Sequence, residues 1–294
     1  MAEVIDLKET AARCRLWFPD ATKLNDRRVA LLGRFSADDA GDAAKLLARA
    51  AVLTRDRGVH QLLAPIDGDT WHAYRFITHR GDRPTFFLEP DHPDAWPGWF
   101  TAAGFTPLAE YFSAETHNLS LRQPRLDRRR EQWAQRGLRL RSIDPGRFDD
   151  ELRAVHALSL EAFANNFLYT PIDAETFVGM YRPLADRLVP ELVRLAECDG
   201  ALVGFSFGVP DFAQDQRGEA IDTAVLKSLA VRPGRAWAGL GAALMEECHA
   251  MATMLGYRRV IHALMHRSNA SLNLSAHYAL PFRTYTLFAR DVTR

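Results

Sequence analysis

The chain has 294 residues, 47% of them hydrophobic, with 37 Lys and Arg balanced by 37 Asp and Glu. That length favours two domains, and the apolar fraction is enough for ordinary packed cores. Zero net charge leaves no overall field to hold a polyanion, which argues against a nucleic-acid or membrane-surface protein.

In chain order, residues 46–58 read as an apolar helix ending at a glycine, followed by a strand over 59–65. Residues 67–75 hold Trp71, His72, Tyr74 and Arg75, a density of large polar side chains unusual for a plain connection. They could line a cleft shared with the second half or pack on themselves, and the self-packed loop is the simpler expectation. A short helix near 99–105 then leads into a strand at 106–112. Residues 122–137 are charge-dense and nearly free of aliphatic side chains, as in a solvated linker or a short exposed helix. This places a first domain at 1–125 and a second at 138–294.

The second segment opens with a period-two strand at 138–143, and a helical region starts at Asp144-Pro145. Strands at 192–197 and 201–208 flank Asp199-Gly200, a strong hairpin signal. A third strand, 223–231, stops at Pro233-Gly234. A helix from about Ala238 to Gly256, a strand at 258–265, a polar loop with a short helix, and a closing strand at 284–288 complete the series. The helix–strand order at 46–65 and 99–112 repeats that of the end of this segment, which suggests an internal duplication. The three cysteines, Cys14, Cys198 and Cys248, are far apart and in no metal-ligand spacing. They suit a reducing compartment, no metal is expected, and with no apolar run long enough to span a bilayer the expectation is a cytoplasmic protein.

The chemistry is concentrated at 225–244, where a strand, a glycine-bearing turn and a helix follow in sequence. Such a turn gathers unpaired backbone N–H groups and the positive end of a helix dipole around one small space, which suits a phosphate. Gly239 and Gly241 let the backbone approach a pyrophosphate with no Cβ in the way. A bare Gly-x-Gly also fits a tight strand-to-helix connection. Val231 and Pro233, then Gly239-Leu240-Gly241 and an amphipathic helix, together resemble the acetyl-CoA motif of the GNAT superfamily of N-acetyltransferases. The resemblance covers about 138–290 and implies an α/β (α+β) fold of two GNAT-like domains, the first lacking the cofactor turn. Each would be a mixed, largely antiparallel sheet flanked by helices.

By that resemblance, acetyl-CoA as co-substrate would lie against Leu229, Ala230, Val231, Arg235, Ala236, Trp237, Ala238, Gly239, Leu240, Gly241, Ala242 and Asn269. The family usually has Gln or Arg where this chain has Ala236, with Arg235 one position early. The implied reaction is direct attack by a small-molecule amine on the thioester, with backbone donors near Leu229 and Val231 facing the oxyanion. Tyr278 is the first candidate to protonate the leaving thiolate and His277 the second, because the interval from Asn269 is longer than usual. Glu219, Asp222 and Glu161 are carboxylates that could take the amine's proton, or water could. His262 reads as a hydrogen-bonded core histidine. His249 and Cys248, being adjacent on a helix, point in different directions and cannot cooperate. Glu161, Asn165, Asn166 and Tyr169, set among aromatics, are the acceptor-binding candidates. The alternative from another class is a non-catalytic GNAT-like protein that binds a ligand or partner.

Overall fold

The computed structural model describes residues 3–293, apart from the side chains of residues 270 and 271. The first half contributes β1 (Glu3–Glu9), β2 (Ala12–Phe18), the short β3 (Lys23–Leu24) and β4 (Arg27–Arg28), and β5 (Ala30–Ser36). It continues with α1 (Ala40–Asp56), β6 (Gln61–Ala64), β7 (Phe76–His79), α2 (Trp96–Ala102) and β8 (Thr106–Thr116). Helix α3 (Asp127–Gln135) connects it to the second half, which starts with β9 (Arg139–Ser142), α4 (Phe148–Ala162) and α5 (Ala174–Tyr181). Next come β10 (Val193–Cys198), β11 (Ala201–Pro210), α6 (Phe212–Gln216) and β12 (Thr223–Val231). The half closes with α7 (Leu240–Met254), β13 (Arg259–His266), α8 (Ala270–Ser275) and β14 (Leu280–Asp291).

The two halves share one continuous sheet in the order β1-β2-β5-β6-β14-β8-β13-β12-β11-β10-β9. Each end is an antiparallel run, β1-β2-β5 and β9-β10-β11-β12, and each run is joined inward by one parallel pair. β5 runs parallel to β6 across α1, and β12 runs parallel to β13 across α7. This repetition is the structural form of the duplication read from the sequence. The halves then exchange their last strands. β8, from the first half, pairs with β13, while β14, from the second, pairs with β6 and β7. β8 and β14 pair with each other at the centre. A cut between residues 125 and 138 therefore separates the chain but not the sheet.

Local chemistry sets the elements. Helix α1 buries Ala43, Leu46, Leu47, Ala50, Ala51 and Thr54, a stripe at helical spacing that faces β2 and β6. The β10–β11 turn puts both Asp199 and Gly200 at positive φ, 51° and 74°, as the dipeptide predicts. Connector α3 differs from a solvated linker. It buries Trp133, and Leu126 just before it is also buried; both pack against Leu240 and Ala243 of α7. The Trp133 indole N–H donates to Ala236 O at 3.0 Å. Two apolar residues among many arginines were enough to seat the helix. Among the described residues, no helix is long and apolar enough to cross a membrane.

Candidate active site

Strands β12 and β13 stay paired only from Thr223↔Arg259 to Leu226↔His262. Beyond that they part. β13 turns to β8 through an irregularity in which Leu264 takes φ 59°, and β12 continues along β11. Where they part, Lys227 is an extra residue on β12, because the register jumps from Phe207↔Ser228 to Gly208↔Leu226. The gap opens into a cavity of about 540 Å³ walled by both halves of the chain. One wall carries Leu226, Lys227, Ser228 and Leu229 of β12, and another carries 262–266 of β13 with Asn269. The first half supplies residues 70–75, 88–90 and Tyr111, and the α4–α5 connection supplies Phe163, Asn166, Phe167 and Tyr169.

Trp71, His72, Tyr74 and Arg75 thus line a shared cleft, and the simpler expectation of a self-packed loop is corrected. The reason lies in tethering. Trp71 donates its indole N–H to Thr170 O at 2.8 Å and stacks edge-on against Phe177, so the loop is held to the second half.

Lys227 was not singled out by the sequence reading. It keeps partial access to the cavity but is crowded by protein elsewhere. Burial, reinforced by the Arg75 cation and opposed by Glu89, lowers its ammonium to about 7. A fraction of the neutral amine is therefore present near neutrality. Its signal in the sequence is that it is the one charged residue in a largely apolar strand. Glu89, also on the wall, is neutralised by an ion pair with the fully buried Arg283, and the Tyr285 hydroxyl donates to it.

The candidate phosphate turn lies at the start of α7. Gly234 and Gly239 have φ 134° and 92°, and Gly239 gives the helix no side-chain cap. A Cβ on Gly241 would come within 3.3 Å of Leu229 and 3.5 Å of Leu274. The turn fits a phosphate by its open helix end and positive-φ backbone. Exposed Arg235 adds positive charge, and Arg129 of α3 lies over Gly239, its Cδ 3.3 Å from where a Cβ would stand. Arg129 is also exposed and can swing aside. Of the other residues the resemblance implied, Leu229 and Asn269 reach the cavity. Ala230, Leu240 and Ala242 are buried in the core; Val231 and Trp237 pack at its edge, and Ala238 is exposed.

The remaining candidates divide. Asn166 and Tyr169 line the cavity, whereas Asn165 is exposed and Glu161 pairs with Arg232 at the surface. Tyr278 is not brought to the cavity. Its hydroxyl donates to Glu246 Oε1 at 2.8 Å and accepts from Gln123 Nε2 at 2.5 Å. Burial and the Glu246 carboxylate raise its pKa, which makes it a poorer acid. His277 is exposed on the turn before β14. Glu219 is tied to Arg217 at the surface. Burial pushes the Asp222 carboxyl up, but hydrogen bonds from Gln214, Thr223 and Arg259 outweigh it and hold it at about 2. His262 and His249 share a 2.9 Å Nε2–Nε2 hydrogen bond, both below the usual histidine range because of burial. Cys248 is fully buried, and burial pushes its thiol up to about 12. His249 and Cys248 sit in the core, and His262, hydrogen-bonded to His249 and Ser275, is also part of the cavity wall.

No family model matches this sequence, and no curated protein does. Solved structures do match. A GCN5-related N-acetyltransferase from Sphaerobacter thermophilus superposes with TM-score 0.53 at 18% identity, over 96% of this chain and 77% of its own. A tandem GNAT protein from the clavulanic acid biosynthesis pathway gives 0.52 at 14%, over 100% and 84%. The fold is a tandem GNAT fold. The GCN5-related glucosamine N-acetyltransferase region of a fungal multi-domain beta-N-acetylglucosaminidase gives 0.56 at 11% identity over 95% of this chain. This chain spans only 31% of that longer protein. At such identities the likeness establishes the tandem GNAT architecture, and the chemistry has to be argued from the site.

Proposed function

We propose that this chain is an acyl-CoA-dependent N-acyltransferase that acetylates a small-molecule amine held in the cavity between its halves. The observation that carries the reading is the parting of β12 and β13, which opens a cavity directly beside the lysine bulge. Leu229 lines that cavity and also lies 3.3 Å from where a Cβ on Gly241 of the α7 turn would stand. Acetyl-CoA would supply an activated acyl thioester. The α7 turn and Arg235 would hold its phosphates, and the β12 edge left without a partner strand beyond Leu226 would offer backbone donors to the acyl end. Lys227 takes the proton from the acceptor ammonium, since it lines the cavity at the bulge and burial lowers it to about 7. Tyr278 acts as a strut between α7, the connector and the turn before β14, and the leaving thiolate is protonated by solvent.

Isothermal titration with acetyl-CoA, followed by turnover on a broad amine panel, tests this reading. Absence of acetyl-CoA binding would sink it. Binding without transfer to any amine would favour the non-catalytic alternative, for which the seating of α3 over the turn is the supporting observation.

A further inference from the structure

The cavity wall carries an arginine with no anionic partner. Arg75 is 5% exposed and holds φ 69°. Its guanidinium lies between the rings of Tyr74 and Tyr111, at 4.0 and 4.3 Å, and Nη1 donates to Leu264 O at 3.3 Å. Among the described residues no carboxylate pairs with it, and Nε has no hydrogen-bond partner. Glu89, the carboxylate nearest in role, is spent on Arg283. A buried guanidinium is costly unless its charge and donors are met, and aromatic faces meet only part of that need.

Two further buried polar atoms on the same wall lack partners, Tyr169 Oη and His266 Nε2. The His266 ring packs edge-on against Tyr111 at 4.8 Å, so Arg75 and His266 flank one tyrosine. His266 Nδ1 accepts from the Ser268 backbone N–H at 3.1 Å, which puts the ring proton on Nε2. The unmet groups are therefore a guanidinium N–H, an imidazole N–H and a phenol O–H. All three can donate, and the first two cannot accept. Much of the remaining lining is apolar, with Trp71, Phe163, Phe167 and Tyr181 beside Leu184 and Met180, while Lys227, Ser228 and Asn166 are polar.

We infer that this wall is an anion subsite that binds the carboxylate of an acceptor with an aromatic or similarly apolar body. A carboxylate accepts only, carries one charge, and pairs with a guanidinium through two parallel hydrogen bonds. A phosphate monoester would bring about two negative charges. Among the described residues of the wall, Arg75 is the permanent cation without an ion-pair partner, and Lys227, lowered to about 7, serves as the base in its neutral form. The inference deepens the acceptor-site reading and rests on it for the identity of the acceptor.

The test measures binding without acetyl-CoA, so that a failure of transferase activity and a failure of the subsite are separable. Titrate the full chain with 3-phenylpropionate, 3-phenylpropionamide and phenyl phosphate. The acid should bind at least about tenfold more tightly than the amide. Arg75→Gln should erase that preference and Arg75→Lys should keep part of it, with thermal melting used to confirm that each variant folds. Equal binding of acid and amide to the unmodified chain overturns the subsite whatever the variants do. Tighter binding of phenyl phosphate overturns the carboxylate assignment, and a preference that survives in a folded Arg75→Gln variant removes Arg75 from it.

Discussion

Helices α1 and α7 each follow a strand that runs parallel to the next one, yet their first turns are finished in opposite ways. At α1, the Asp39 carboxylate accepts from Gly41 N at 2.8 Å and Asp42 N at 3.0 Å, so the helix end is capped by the chain's own negative charge. At α7, Gly239 stands in the same place with positive φ and no cap. The strands beside them differ too. Past Leu31↔Leu63 the gap between β5 and β6 is filled: Ile66 N donates to Leu32 O at 2.8 Å, and Arg34 N donates to Asp67 Oδ1 at 2.6 Å. A Cβ on Gly33 would lie 2.4 Å from Ile66 O. Past Leu226↔His262 the corresponding gap is a cavity. One architecture therefore gives a sealed unit and an open one, and the difference comes from a few residues at one turn and one strand end.

The largest effect should come from the open turn. Gly241→Val should weaken acetyl-CoA binding by about a hundredfold, roughly 3 kcal/mol, because the new side chain meets Leu229 and Leu274. Calorimetry should also give one acetyl-CoA per chain; two equivalent sites would show that α1 is not sealed. Next is the lysine bulge. Lys227→Met should lower kcat/KM by about 10²-fold, the lower end of acid–base effects, and abolish a rise in rate centred near pH 7. A pH–rate profile unchanged by the substitution would move the proton elsewhere. The same substitution has a stability signature. Because burial lowers Lys227, the unfolded chain binds more protons than the folded chain between pH about 7 and the ordinary lysine value of about 10.4. Stability should rise with pH across that window in the unmodified chain, and the rise should flatten in the variant.

Smaller effects sharpen the contrast. Asp39→Ala should cost about 1 kcal/mol in denaturant unfolding and leave acetyl-CoA affinity unchanged, since it uncaps a helix with no open gap beside it. A gain of a second binding site would mean that the cap alone closes that half. Tyr278→Phe removes the hydroxyl bonded to buried Glu246 and should destabilise by about 1 kcal/mol, with kcat altered less than about twofold. A rate loss of about 10²-fold in a folded Tyr278→Phe variant would return the general-acid role to that residue.

Much of this contrast was legible before the structure. The glycines of the α7 turn, the Asp199-Gly200 hairpin and the repeated helix–strand order are local signals, and local signals survive folding. The strand at 223–231 was placed to the residue. What stayed hidden depends on tertiary neighbours. A lysine in an apolar strand does not announce that a bulge will turn it toward a cavity. Tyr278 sat at a motif position, but its direction is decided by Glu246, 32 residues earlier. The 67–75 loop could not reveal that Thr170 would hold its tryptophan.

The exchanged strands carry a consequence for how the protein comes into being. β6 and β8 leave the ribosome before β14, which must lie between them and follows every other strand of the sheet in the chain. Until it arrives, the edges of two hydrophobic strands stand open in the middle of the growing sheet, and such edges are templates for pairing with other chains. The sheet can be completed only after every other strand has been made, and the long-range contacts that close it are slow ones. Expressing either half alone would preserve that vulnerable intermediate indefinitely. Co-expressing the two halves from separate messages should rescue solubility, because each carries the strand that the other lacks.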